Sequence, residues 1–223
     1  MRVWKEATGC DIYDGYGQTE TINIVANFPG MKIRPGSMGK PCPGLVVDII
    51  DDLGNILSDG EIGHIGIKIT DPYPPGLFHG YYLDAVKTNE VFRNGWYYSG
   101  DTATRDEDGY IWFVGRSDDV ISSSGYRISP FEVESALIEH SAVAESAVIA
   151  KPDSIRGEIV KAYIVLALGY DPSEDLINDI QNFVKSHSAP YKYPREIEFV
   201  TVLPKTISGK IRRVELREKA SKE

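Results

Sequence analysis

Cysteine and histidine are scarce in this chain of 223 residues. The two cysteines, Cys10 and Cys42, are far apart and lack the spacing of metal ligands. A chain with so few cysteines has no disulfide framework, which favours a reduced, cytoplasmic protein. The histidines also form no pair at ligand spacing, so we expect each of them to be a surface or core residue: His64, His79, His140 and His187.

Long apolar runs and an excess of positive charge are missing as well. No run approaches the roughly 20 residues that cross a membrane, and the N-terminus lacks the apolar segment of a signal peptide. The formal net charge of −9 argues against general affinity for nucleic acid or anionic membranes. The apolar content of 42% still supports a folded core. We therefore expect a soluble protein with no membrane span and no nucleic-acid partner.

The pattern of apolar residues changes near residue 117. Between residues 40 and 115, short alternating segments such as LVVDIID and EIGHIGIKI are separated by turn signals, which predicts a small barrel or sandwich. After residue 117, helical and strand patterns alternate, which predicts a compact α+β unit. The predicted fold class is therefore α+β, with a β-barrel-like portion in residues 1–117 and an α+β domain in residues 118–223.

The segment GRSDDVISSSGYRISPFEVE, residues 115–134, joins these two halves. Ser129 is predicted to cap a helix, with Pro130 as its first residue and Glu132 closing a capping box. Two arginines and a serine-glycine bend precede this helix. A polar, bend-forming segment in this position indicates a working joint between two domains.

Three further motifs carry side chains suited to nucleotide chemistry. GYGQTE, residues 15–20, predicts a glycine-rich loop with a ring for stacking, a hydroxyl and a hard oxygen for Mg²⁺. YYSGD, residues 97–101, predicts a strand that ends in a carboxylate suited to a ribose diol. PKTISGK, residues 204–210, places a lysine on a glycine-containing loop beside two hydroxyl groups. Taken singly, each motif has a plain alternative: a surface turn, a turn cap or a solvated loop.

Occurring together in this order, the motifs resemble the adenylate-forming superfamily of acyl- and aryl-CoA synthetases, peptide-synthetase adenylation domains and luciferases. YGQTET, SSGYRI, PDSIRGEIVKA and APYKYPREIEFV are most similar to the medium-chain acyl-CoA synthetases. The resemblance covers essentially the whole chain but only the C-terminal part of the family's length. It implies that residues 1–117 are the end of the large adenylation domain and residues 118–223 the mobile C-terminal domain. We therefore expect a missing N-terminal part of the same enzyme, which in the family holds the phosphate loop and most of the acyl pocket.

The resemblance implies an enzyme that joins a carboxylic acid to CoA through an acyl-adenylate, using ATP, Mg²⁺ and CoA. Catalytic roles fall on Lys210, Thr19 and Glu20, with Glu20 as the Mg²⁺ ligand. Tyr16 would stack on adenine, Asp101 and Arg116 would hold the ribose hydroxyls, and Arg127 would face the phosphate. The residues assigned to ATP or AMP are Asp14, Gly15, Tyr16, Gly17, Gln18, Thr19, Asp101, Arg116, Arg127 and Lys210.

The second half-reaction is assigned to the C-terminal domain, which in the family rotates about one hinge residue, here Asp118. Gly125 would line the pantetheine tunnel, where a side chain would obstruct it. The residues assigned to CoA are Ser124, Gly125, Tyr126, Arg156, Lys185 and Tyr193. For Arg156, Lys185 and Tyr193, a solvated charge or a packed tyrosine remains the alternative.

Other functions stay open on the sequence. The chain could belong to an aryl- or short-chain acyl-CoA ligase of the same superfamily, because most of the acyl pocket is missing. It could also be a folded fragment without activity, acting as an interaction module. The basic tail KIRRVELREK is expected to be a solvated helix, since Glu215 and Glu218 interrupt its positive charge. We expect the 223-residue chain alone to be inactive, and oligomer formation is possible.

Overall fold

The computed structural model describes residues 1–207 and 209–222. The chain divides into two compact units, unit 1 (Met1–Ser117) and unit 2 (Asp118–Glu223). Within the described ranges, no helix has both the length and the apolar character that crossing a membrane requires.

Unit 1 is mainly antiparallel sheet. Its helices are α1 (Arg2–Thr8) and α2 (Ala85–Val91), and its strands are β1 (Gly15–Gly17), β2 (Asn23–Ala26), β3 (Lys40–Pro41), β4 (Val47–Ile50), β5 (Gly63–Lys68), β6 (Phe92–Arg93), β7 (Trp96–Arg105) and β8 (Ile111–Arg116). One sheet has the order β1-β2-β3; the other has the order β4-β5-β7-β6, with β8 also paired to β7. A bridge between Gly39 and Ile111 connects the segment before β3 with β8.

The core of unit 1 follows from alternation along its strands. Ile49 of β4, Ile65 and Ile67 of β5, and Tyr97 of β7 are buried in one cluster with Ile24 of β2. Burial of each such side chain contributes about 1.5–3 kcal/mol, so this cluster holds the two sheets together. The long strand β7 is the centre of the unit, because it pairs with β5, β6 and β8.

Unit 2 alternates helices and strands as its sequence predicts. Its strands are β9 (Ile121–Ser123), β10 (Tyr126–Ile128), β11 (Val143–Asp153), β12 (Gly157–Leu166) and β13 (Glu196–Phe199), and its helices are α3 (Pro130–Ile138), α4 (Glu174–His187) and α5 (Arg213–Ala220). The sheet has the order β10-β9-β12-β11, with β13 parallel to β12.

Both faces of this sheet are covered. Even-numbered residues of β12, such as Ala162, pack with Val133 of α3 and Ile180 of α4. The odd-numbered Tyr163 lies in a separate cluster with Leu216 of α5. Because successive side chains of a strand point to opposite faces, α3 and α4 cover one face and α5 the other. This explains why β12 is continuously apolar from residue 162 to residue 166.

Several local predictions are confirmed, and the α+β class is confirmed as well. Ser129 caps α3, accepting a hydrogen bond from the Glu132 amide at 3.3 Å, and Pro130 is the first helical residue. The carboxylate of Glu132 accepts from Lys192. Ser173 caps α4 in the same way as Ser129 caps α3.

Two sequence predictions about the motifs are wrong. The glycine-rich loop is partly a strand, because residues 15–17 form β1. Asp101 does not end its strand, since β7 continues to Arg105. Turn residues in both segments suggested a break, but pairing with β2 and with β8 includes both segments in strands.

Candidate functional site

In unit 1 the centre of the candidate site is Asp101. This residue lies directly opposite Arg116 on the neighbouring strand. The carboxylate is buried, with 7% of its side chain exposed, whereas 52% of the Arg116 side chain is exposed. Arg116 Nε lies 3.5 Å from Asp101 Oδ1. The local backbone turns at Gly100, whose φ is 76° and whose carbonyl accepts from the Ser117 amide at 2.9 Å.

Two residues of the GYGQTE motif hold the other oxygen of this carboxylate. The Tyr16 hydroxyl donates to Asp101 Oδ2. Gln18 Nε2 donates to the same oxygen at 2.8 Å. Burial, reinforced by the Asp101 charge, raises the pKa of Tyr16 far above its usual value, so its hydroxyl remains a donor. The structure therefore joins two predicted motifs that are more than 80 residues apart in sequence.

Glu20, the predicted Mg²⁺ ligand, accepts a hydrogen bond from the Tyr81 hydroxyl at 3.0 Å. Burial, and the bond to Glu20, raise the pKa of Tyr81. Among the described residues, no group of three or more His, Cys, Asp or Glu side chains could hold a metal by itself. This arrangement fits Mg²⁺, which is commonly held by one or two carboxylates together with substrate phosphates and water.

The remaining residues of the motif are placed around the β1–β2 hairpin. Asp14, Gly15, Gly17 and Thr19 are exposed. The Asp14 carbonyl accepts from the Asn27 amide at 2.9 Å, which fixes the start of β1. A Cβ on Gly17 would lie 2.3 Å from the Ile22 carbonyl oxygen, so glycine is required for the hairpin to close. Their predicted contacts with the nucleotide stay predictions.

In unit 2 the serine-glycine bend is the turn of a hairpin between β9 and β10. Ser123 pairs with Tyr126, and the two residues between them have φ values of 50° (Ser124) and 85° (Gly125). Two consecutive residues with positive φ define the type I′ turn of two-residue hairpins. A Cβ on Gly125 would meet no atom within 4 Å, so within this unit it is the backbone angle that favours glycine.

Arg156 lies beside this turn. Its Nη1 donates to Ser124 Oγ at 3.1 Å, and its carbonyl accepts from the Ser124 amide at 3.0 Å. The ring of Tyr126 stacks on that of Tyr191, with centroids 4.2 Å apart. Two segments assigned to CoA, the Ser124-Gly125 turn and Arg156, therefore meet at one end of the sheet. Tyr126 has an aromatic partner, Tyr191, that the sequence did not reveal.

Lys185 and Tyr193 form a second pair among the residues assigned to CoA. Lys185 Nζ lies 4.2 Å from the centroid of the Tyr193 ring. Arg195 also approaches this ring and donates to the Tyr193 hydroxyl at 3.0 Å. The described contacts do not connect this pair with Arg156. Arg195 is a cation that sequence reasoning missed.

Lys210 and Arg127 are both exposed. Lys210 lies in a loop closed by a bond from the Thr206 amide to the Lys210 carbonyl at 2.8 Å, with a bridge between Lys205 and Ile211. Arg127 lies on β10, opposite Ser122. Ser208, the other hydroxyl of this loop, is outside the described residues.

Asp118 is the first residue of unit 2, and its carbonyl accepts from Arg217 Nη1 at 3.4 Å. The same guanidinium binds the carboxylate of Asp119. Helix α5 thus holds the start of unit 2. The role of Asp118 as a hinge stays a prediction.

Comparison of the sequence with family models identifies the class of protein to which this site belongs. The sequence model of the AMP-binding enzyme family matches residues 1–82, and that of the AMP-binding enzyme C-terminal domain matches residues 132–210. The chain belongs to this family of adenylate-forming enzymes, and the predicted resemblance is confirmed.

Individual relatives narrow the similarity. Acyl-coenzyme A synthetase ACSM3, mitochondrial, of Rattus norvegicus is 58% identical over 221 residues, which are 98% of this chain and 38% of that protein. 4-Hydroxybutyrate–CoA ligase 1 of Metallosphaera sedula is 56% identical over 220 residues, covering 98% of this chain and 39% of the ligase. The structure of the anthranilate CoA ligase AuaEII in complex with anthranoyl-AMP is 44% identical, with a TM-score of 0.84, and covers 98% of this chain and 40% of that one. The chain thus spans about two fifths of the length of these relatives.

Proposed function

We propose that this chain is the part of an AMP-forming acyl-CoA synthetase that binds the nucleotide and CoA. The observation that carries the proposal is the buried Asp101 carboxylate, held by Tyr16 and Gln18 and accompanied by the half-exposed Arg116. A carboxylate fixed in this way is suited to accept hydrogen bonds from the ribose hydroxyls of ATP. Mg²⁺, when bound by Glu20 and the phosphates, would neutralise phosphate charge.

In the first half-reaction, a carboxylate oxygen of the acid attacks the α-phosphorus of ATP. The bond from this phosphorus to the bridging oxygen breaks, and pyrophosphate leaves with that electron pair. Lys210 would stabilise the negative charge that gathers where the carboxylate and the α-phosphate meet. One preorganised donor of this kind contributes about 10²–10³ in rate.

In the second half-reaction, the CoA thiol attacks the acyl carbonyl carbon of the acyl-adenylate. The carbon–oxygen bond to AMP breaks, AMP leaves as its phosphate monoester, and the thiol proton passes to solvent. The Ser124-Gly125 turn would guide the pantetheine arm. Arg156, Lys185 and Tyr193 would contact the nucleotide end of CoA, where cations suit its phosphates and the tyrosine suits its adenine.

A medium-chain fatty acid is the proposed acid, on the similarity to ACSM3 at 58% identity. The nearly equal identity of 56% to 4-hydroxybutyrate–CoA ligase 1 favours a short-chain acid as the second candidate. The cytoplasmic location, the missing N-terminal part as a partner and the possible oligomer stay predictions.

The test replaces the matching C-terminal part of rat ACSM3 with this chain. The chimera is expected to form acyl-CoA and AMP from ATP, acid and CoA. Its N-terminal part, with most of the acyl pocket, comes from ACSM3, so the assay uses a medium-chain acid and tests the reaction rather than the choice of acid. A matched chimera with Asp101→Asn is expected to fold but to lose about 10²-fold in kcat/KM for ATP, because a charged acceptor is removed. Failure of a well-folded chimera to release AMP would contradict the proposal, as would carboxylate-dependent ATP–pyrophosphate exchange that Asp101→Asn leaves unchanged.

The 223-residue chain alone is expected to be inactive. Without the preceding part of the family fold, no phosphate loop would hold the β- and γ-phosphates. Measurable carboxylate-dependent ATP–pyrophosphate exchange by the purified chain would contradict this expectation.

A further inference from the structure

Tyr97 is a buried tyrosine next to the Asp101 site to which the sequence assigned no role. Its side chain is 1% exposed on β7. The ring is fixed by Phe78 and Phe92, with centroid distances of 5.6 Å and 5.2 Å. The hydroxyl reaches out of this aromatic cluster and donates to Gln18 Oε1 at 3.1 Å.

This contact matters because Gln18 uses its amide nitrogen on two acceptors. Gln18 Nε2 donates to the Ser99 carbonyl at 2.9 Å and to Asp101 Oδ2 at 2.8 Å. An amide turned by 180° would place its oxygen against both acceptors and its nitrogen against the Tyr97 hydroxyl. The donor at Oε1 and the acceptors at Nε2 therefore select the same orientation of the amide.

The Tyr97 hydroxyl is suited to this task because it remains protonated. Burial, with smaller effects from the Glu20 charge and Tyr81, raises the pKa of Tyr97 well above its usual value. The next residue of the strand points to the other face. The Tyr98 hydroxyl donates to the Asp51 carbonyl at 3.2 Å and does not contact Gln18.

We propose that Tyr97 is a positioning residue for nucleotide selectivity: through Gln18, its hydroxyl fixes the Asp101 carboxylate that distinguishes a ribose from a deoxyribose. The proposal deepens the proposed function and rests on the assignment of Asp101 to the ribose. Tyr97 does not touch the nucleotide. Its effect is therefore expected on the selectivity for the sugar hydroxyls rather than on the binding of adenine.

The test compares AMP with 2′,3′-dideoxy-AMP as probes. Both are titrated into the 223-residue chain, with binding followed by NMR so that millimolar dissociation constants remain measurable. Two charge-assisted hydrogen bonds predict that the wild-type chain binds AMP at least about 10-fold more tightly than the dideoxy nucleotide. Tyr97→Phe keeps the packed ring and removes only the hydroxyl, and it is expected to lower this ratio about 3- to 10-fold. Tyr98→Phe, the matched control, is expected to leave the ratio unchanged.

A double variant separates positioning from general damage. Gln18→Leu is expected to lower the ratio at least as much as Tyr97→Phe, and Gln18→Leu with Tyr97→Phe is expected to lower it no further, because the hydroxyl acts through the amide. Equal weakening of both nucleotides by Tyr97→Phe would indicate a merely structural role and overturn the proposal. An unchanged ratio in Tyr97→Phe, with a selective wild type, would overturn the proposal alone. A wild-type chain that binds neither probe, or both equally, would overturn the ribose assignment and the proposed function with it.

Discussion

Unit 1 and unit 2 each contain a buried aspartate paired with arginine, and the two pairs are built differently. Asp101 accepts hydrogen bonds from the neutral Tyr16 and Gln18, and the arginine beside it, Arg116, is half exposed. Asp119 is bound by Arg217, and Arg213 lies 3.9 Å away. Arg213 in turn binds Glu134 through both carboxylate oxygens, at 2.8 Å and 2.7 Å.

The difference indicates which pair can serve a ligand. A half-exposed guanidinium next to a fixed carboxylate can be reached from solvent. We call Asp101 with Arg116 the first cluster, and Asp119, Arg217, Arg213 and Glu134 the second cluster. In the second cluster the Arg213 and Glu134 side chains are only 11% and 13% exposed, and Arg213 also lies over the Phe131 ring. Its charges are used to join α5 to α3 and to the start of unit 2. We therefore expect substitutions in the first cluster to change nucleotide binding and those in the second to change stability.

The largest expected effect comes from breaking the second cluster. Arg213→Met removes both hydrogen bonds from the guanidinium and leaves Glu134 buried, although its carboxylate still accepts from the Val148 amide at 2.7 Å. Removing one partner of a buried ion pair costs about 3–5 kcal/mol of unfolding free energy, because the other charge is left uncompensated. Denaturant unfolding of the chain, followed by a probe in unit 2, measures the loss.

Arg212→Met is the matched control. Arg212 precedes Arg213 but pairs with Glu215 on the surface, where both side chains are about half exposed. Such a pair contributes at most about 1 kcal/mol. Equal losses in the two variants would remove the distinction between the clusters.

The next largest effect is expected on catalysis, from replacing an exposed lysine that belongs to neither cluster. Lys210→Ala is expected to lower acyl-adenylate formation by about 10²–10³ in the ACSM3 chimera and to leave thioester formation from supplied acyl-AMP intact. Because Lys210 is exposed, stability is expected to stay unchanged. The two half-reactions are measured separately, by pyrophosphate exchange and by thioester release.

Lys205→Ala is the control for this substitution. Lys205 starts the same loop and pairs with Glu145. Its loss is expected to leave both half-reactions unchanged. If Lys210→Ala slows both half-reactions equally, the assignment of Lys210 to adenylation is wrong.

Much of unit 2 could be predicted from its sequence because its signals are local. The Ser129 and Ser173 caps and the apolar face of α4 each depend on residues within a few positions of one another. The hairpin of β9 and β10 was predicted only as a bend. The short helices α1 and α2 were missed, since the described side chains of neither are buried and no apolar periodicity marks them.

The candidate site shows the limit of such reasoning. The motifs identified Asp101, Tyr16 and Gln18 as candidates, but their mutual contacts depend on pairing between strands far apart in sequence. Tyr97 and Tyr81 also contact the motif residues, through Gln18 and Glu20. The sequence did not single them out, because a tyrosine in such a segment is ordinarily assigned to the core. Their roles follow only from the direction in which each hydroxyl points.

A smaller effect on the free energy of unfolding is expected at the turn assigned to CoA. Gly125→Leu forces a branched side chain into a left-handed conformation, which costs about 1–2 kcal/mol. In the chimera it is expected to block thioester formation and to spare adenylation. Gly125→Asn, which tolerates positive φ, is the control for the strain. Normal CoA transfer by Gly125→Leu would contradict the tunnel assignment.

The smallest effect concerns Glu196, whose carboxylate is only partly buried and pairs with Lys151 and Lys161. Burial opposes its ionisation, but hydrogen bonds from Lys161 and Lys151 outweigh this and hold its pKa below the ordinary 4.5. The folded state therefore binds the proton less tightly than the unfolded chain, so the contribution to stability is present above about pH 4.5 and is lost as the pH falls through the lowered pKa. Glu196→Gln is expected to cost about 1 kcal/mol at pH 7, since the carboxylate is a third exposed and Lys161 keeps Glu198 at 3.1 Å. Unfolding midpoints are measured from pH 7 to pH 3, with Glu215→Gln as the exposed control. The midpoints of Glu196→Gln and the wild type should converge at the acid end. A difference that does not depend on pH would show that the charge of Glu196 is not what stabilises this face of the sheet.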